Sequence, residues 1–121
     1  MKKLFFFLIL ILGFYNFNAQ SCKKLLTSVK SKNHGITYTS YNSDAISKVT
    51  FYSLNIDYKT HYFAIVCFKK KYSHSCNEYI YKVAYNTKLN YSLDYHNSAG
   101  KAFWKHIRPY AKVLDCSPNF D

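Results

Sequence analysis

Four cysteines, Cys22, Cys67, Cys76 and Cys116, are the residues of this 121-residue chain whose number and spacing most directly imply chemistry. An even count in so small a chain points to two disulfides, and so to an oxidising compartment; four cysteines allow three connectivities. Cys67 and Cys76 flank a lysine-rich turn, whereas Cys22 and Cys116 stand near the two ends. The expected pairing is therefore Cys22–Cys116 and Cys67–Cys76. His74 beside these cysteines could complete a set of soft metal ligands, but no C-x-x-C spacing accompanies it, so neither a metal nor another cofactor is expected.

Catalysis has little to work with. After residue 20 the acids are Asp44, Asp57, Glu78, Asp94, Asp115 and Asp121, scattered without a repeated pair, and His34, His61, His74, His96 and His106 lie in unrelated settings. No nucleophile elbow, zinc-helix motif or glycine-rich phosphate loop occurs. One arrangement, His96 and His106 near Ser98, could serve a small hydrolase or toxin-like effector, but packing or solvent-exposed histidines are the ordinary reading, and no enzymatic activity is expected.

Binding chemistry is better supplied. The formal charge is +11, and +9 once Lys2 and Lys3 are set aside, a balance that attracts acidic partners such as nucleic acid, lipopolysaccharide or an anionic glycan and also keeps a small protein soluble. Twelve of the thirteen tyrosines follow residue 20, which suits a thin, half-wet β layer whose rings keep hydroxyls near water. The candidate ligand-binding set is the basic ridge Lys101, Lys105 and Arg108 beside Tyr79 and Tyr81: cations for phosphate or sulfate oxygens, rings for stacking. In the competing reading both tyrosines are buried and brace a helix against the sheet.

The elements that must position these residues begin after a leader. Lys2-Lys3, an apolar run from Leu4 to Leu12 and the small polar residues after Asn18 have the layout of a secretory signal peptide spanning 1–20; a membrane span would need about 20 apolar residues. Export to the periplasm or medium follows. The alternative, a lipoprotein anchored through Cys22, lacks the aliphatic residue expected three positions earlier, where Ala19 stands. Residues 21–41 form an N-terminal extension with a short helix carrying Leu25, Leu26 and Val29, then a strand from Ile36 to Tyr41. Strands follow at about 46–52, 61–68 and 78–84; in the strongest, Tyr62, Ala64, Val66 and Phe68 share one face and Phe63, Ile65 and Cys67 the other, so both faces are covered. A helix opening at Thr87, as its cap, lines one side with Tyr85, Leu89 and Leu93. Another runs from Lys101 to Arg108 and stops at Pro109, with Phe103, Trp104 and Ile107 on the packed arc.

The fold class expected is α+β: a small three- to four-stranded antiparallel sheet with two C-terminal helices packed on one face. Ser43-x-x-Ile46, Val66-Cys67-Phe68, Tyr79-Ile80-Tyr81-x-Val83 and the run from Ser98-Ala99-Gly100-Lys101 through Ile107-Arg108-Pro109-Tyr110 together resemble the KTSC domain, a module found at the C-terminus of some lysyl-tRNA synthetases and alone in bacterial proteins. The resemblance spans 42–113 and leaves 114–121 as a tail. Departures are Ala84 where the family has proline, Trp104 where it has asparagine, and a longer connection after Phe68. What the resemblance implies is a non-catalytic binding or interaction module, with RNA binding proposed for the family; in an exported chain the partner would be an acidic polymer or an envelope protein.

Overall fold

The computed structural model describes residues 21–118; the expected leader, 1–20, lies outside them. Residues 21–32 are helical (α1), followed by four strands, β1 (Ile36–Thr39), β2 (Ile46–Ile56), β3 (Lys59–Lys69) and β4 (Cys76–Val83). Then come α2 (Thr87–Asp94), α3 (Ala99–His106), a single 3₁₀ turn (Arg108–Tyr110) and the one-turn α4 (Ala111–Leu114). The strands form an antiparallel meander in chain order, so the fold is α+β as expected.

Strict alternation in β3 divides the core. Ala64 and Val66 meet Tyr81 and Val83 of β4, Val49 and Phe51 of β2, and the buried Tyr91, Ala99, Ala102, Phe103 and Ile107 of the C-terminal helices. On the opposite face Phe63, Ile65 and Ile80 meet Val29 of α1, with Leu25, Leu26 and Leu114 around them. The sheet is thus covered on both faces: α2 and α3 on one, the extension's α1 on the other. Residues 21–41 contribute a layer and an edge strand to the body. Lys30 of α1 reaches across to Glu78 of β4 at 2.9 Å. Gly35 links α1 to β1 where a Cβ would meet the Thr50 methyl and fall 2.7 Å from the Tyr52 ring, so any larger residue there forces those side chains to move.

In β2 the alternation breaks once. Ile46 pairs with Phe68 and Lys48 with Cys67, leaving Ser47 as a bulge. That extra residue is why Ile46 and Val49, three apart, both face the α2–α3 layer. The stretch 53–60, between the strands expected at about 46–52 and 61–68, instead prolongs β2 and β3 to a two-residue hairpin, with Ile56 paired to Lys59 and Asp57 and Tyr58 both at positive φ (52° and 65°). Such a turn needs left-handed backbone at both central positions. Beyond the helical cover the ladder is held by pairs such as Thr60 to Asn55, 2.7 Å.

Both disulfides form with the expected pairing. Cys67–Cys76 links β3 to β4 diagonally, with Cα atoms 5.4 Å apart, and Cys22–Cys116 ties α1 to the tail at 5.6 Å. Cys67 and Cys76 are therefore not thiolate ligands beside His74, and the Cys22 sulfur is bonded to Cys116. Among the described residues no helix is long and apolar enough to cross a membrane.

Candidate anion-binding surface

Helix α3 is built to show one face. Ser98, in extended backbone, accepts a hydrogen bond from the Lys101 N–H at 3.2 Å and caps the helix, satisfying one of its free donors. Ala99, Ala102 and Phe103 are buried beneath. The Phe103 ring stands edge-on to Phe68 (5.3 Å) and to Tyr81 (5.6 Å); burying such a ring contributes roughly 2–3 kcal/mol and fixes the helix's rotation. Lys101, Trp104 and Lys105 are left outward, with Arg108 one turn on. Its guanidinium carbon lies 4.1 Å from the Trp104 ring centroid, a cation–π stack.

Trp104 thus belongs to the basic ridge and is half-exposed, at 51%, a correction to its expected place with Phe103 and Ile107. The periodicity carried the signal: on a helical wheel Trp104 falls about 40° from Arg108 and about 60° from Ile107, and only its apolar character drew it inward. Lys105 approaches the Asp94 carboxylate at 3.9 Å, while His106 Nε2 lies 2.6 Å from the same oxygen. The His106 hydrogen bond, aided by Lys105, holds the Asp94 carboxyl below the usual carboxylate range.

The two tyrosines of the expected set divide. Tyr81 is buried, 1% exposed, and braces the sheet against Phe103, so its ring offers no stacking face; burial also pushes its phenol above the ordinary value. Tyr79 is half-buried, edge-on to Phe68 at 5.8 Å. The structure therefore brings together Lys101, Lys105 and Arg108 as expected, adds Trp104, and removes Tyr81.

Helix α2 faces the other way from its expected orientation. Thr87 and Tyr91 are buried, while Leu89 and Leu93 are 60% and 68% exposed and Tyr85 76%. Thr87 does not cap the helix: Asn86 holds that position, and the Thr87 hydroxyl accepts from the Ala84 N–H at 3.1 Å. The rings decide the rotation. Tyr91 packs on Phe51 (5.6 Å) and stacks on Tyr95 (5.6 Å), and Tyr38 stands edge-on to Tyr95 at 5.2 Å. Four aromatic rings bury more area than two leucines.

A polar groove of about 440 Å³ runs between residues 39–45 and 95–100. Ser43 and Ser98, the serines of the two motifs, meet there, and each hydroxyl accepts from backbone, Ser43 from the Ile46 N–H at 3.1 Å. His96 lies against Tyr95 at 4.1 Å, and His106 Nε2 sits 2.6 Å from the Asp94 carboxylate. Among the described residues no group of three or more His, Cys, Asp or Glu could hold a metal ion. No family model, curated protein or solved structure matches this chain.

Proposed function

We propose that this chain is an exported, non-catalytic recognition module of the KTSC type that binds a polyanion through the outer face of α3. The observation that carries the reading is Trp104: an aromatic face half in solvent, in line with Lys101 and Lys105 and stacked by Arg108. A tryptophan that served only packing would turn inward. Cations supply the charge term and the ring a sequence-tolerant stacking surface, the combination used on single-stranded nucleic acid and related polymers. Two disulfides support export to an oxidising compartment. Support for the KTSC assignment comes from the convergence of its motifs: Ser43 and Ser98 share one groove, and Tyr81 packs under Phe103.

Titration with heparin, lipopolysaccharide and single-stranded nucleic acid across rising salt tests the reading. Three ridge cations neutralising three anionic groups give a slope of log K against log salt of about −2 to −3, and Lys101→Glu/Lys105→Glu/Arg108→Glu abolishes it. Trp104→Ala weakens binding by about 1–3 kcal/mol. Salt-independent binding, or a triple variant that binds like the parent, removes the proposal.

A further inference from the structure

The crest of α2 is apolar where a helix that meets only water would be polar. Leu89 and Leu93, four residues apart on α2, form one outward line, exposed at 60% and 68%, and Tyr85, in the turn before the helix, is 76% exposed, while Lys88, Asn90, Ser92 and Asp94 are only partly exposed beside it. This line runs into the basic ridge of α3: Asp94, next to Leu93, touches Lys105 at 3.9 Å. Leu93 therefore lies beside Lys105 of the ridge that also carries Lys101, Trp104 and Arg108. Asp94 is the only acid between residues 79 and 114, and it is engaged by His106 and Lys105. Exposed apolar patches rimmed by polar residues mark interaction sites.

From this juxtaposition, and resting on the anion-binding reading above, we infer that the polyanion is a bilayer of anionic lipid: phosphate headgroups engage the Lys101–Lys105–Arg108 ridge while Leu89, Leu93 and Trp104 enter the boundary between headgroups and acyl chains. A soluble polyanion would satisfy the cations but leave the leucine crest in water. A lipid surface satisfies both, since interfacial binding adds buried apolar area to attraction for anionic headgroups. Tryptophan suits that depth, apolar in body and wet at one edge.

Trp104 is the only tryptophan in the chain, so its emission reports this surface alone, whatever the N-terminal residues do. The test adds vesicles of phosphatidylethanolamine with phosphatidylglycerol, or of phosphatidylcholine alone, to the protein as exported and purified with its disulfides intact. Expected are a blue shift of Trp104 emission and quenching by brominated acyl chains with the anionic vesicles only. Leu89→Ser/Leu93→Ser should weaken vesicle partitioning at least about tenfold while leaving heparin titration unchanged, which also shows that the variant is folded. The lipid inference is overturned, with polyanion binding intact, if the double variant partitions like the parent, if Trp104 emission stays fixed, or if nucleic acid binds more tightly than the vesicles. It is overturned likewise if the leucines hold a dimer that the double variant dissolves. Loss of both vesicle and heparin binding in the parent overturns the two readings together.

Discussion

Tyr91 shows what the many tyrosines do in a domain this thin. Its ring is fully buried among Phe51, Tyr38 and Tyr95, and its hydroxyl, turned toward Ser40, makes no hydrogen bond of ordinary geometry. Burial pushes the phenol from 10 up to about 12. Below pH 10 both folded and unfolded chains hold the proton and stability is independent of it. Above that the unfolded chain ionises first, so stability falls until the folded phenol ionises near pH 12. Tyr91→Phe should therefore change stability by less than about 1 kcal/mol at pH 7 but flatten the alkaline loss, which for this group is at most about 2.7 kcal/mol. Urea midpoints measured from pH 9 to pH 12 check this; Tyr81, also raised by burial, leaves a residual slope in the variant. An alkaline loss unchanged by Tyr91→Phe would show that the hydroxyl is not what titrates. Residue type foretold tyrosines in a half-wet layer, but not which of them lose their solvent.

Among elements, those fixed by strong local patterning were legible and those fixed by competition were not. β3 was evident because both its faces are apolar, and the ridge of α3 because Lys101, Lys105 and Arg108 recur at helical spacing. α2 was misoriented because leucines at four-residue spacing look like a core face, and nothing local states that Tyr91 will find Tyr38 and Phe51 across the sheet. The length of the β2–β3 hairpin was hidden because its outer rungs mix polar Ser53, Asn55 and Thr60 with Leu54 and Ile56, without the unbroken apolar run that marks β3. Its turn places Tyr58, a bulky residue, at φ 65°, which costs on the order of 1 kcal/mol. Replacing the pair by the residues this turn prefers, Asp57→Asn with Tyr58→Gly, should stabilise the domain by about 1 kcal/mol. Thermal unfolding would show a rise in midpoint of a few degrees. A fall would mean that the fully exposed Tyr58 ring makes contacts in solution worth more than the strain it carries.

At the scale of the whole molecule, the chain's two ends hold the three layers together. The tail leaves the α2–α3 side, where Tyr110 and Ala111 pack on the first core, and passes the β4 edge, so that Leu114 and Cys116 join the second core. Asp115 makes the bend in left-handed backbone, φ 55°. Cys116 there bonds Cys22 at the start of α1, closing a loop with a sequence separation of 94. The position of the cysteines near both termini made this bridge legible; that it would clamp a helix onto the second face was not, because the extension carries too few apolar residues to declare a layer. By the chain-entropy relation a loop of that length is worth about 4–5 kcal/mol, a large share of what a domain of this size has. Cys22→Ser/Cys116→Ser should therefore lower unfolding free energy by about that amount. The loss should also be uneven, since α1 is held by Val29, its leucine neighbours and the Lys30–Glu78 pair and would open before the sheet does. Hydrogen exchange should then show residues 21–32 losing protection ahead of β2 and β3, while vesicle and heparin binding by the distant α2–α3 face persist. Simultaneous loss of protection across all elements would instead mean that α1 is integral to the cooperative unit, and that the second face is as necessary to folding as the first.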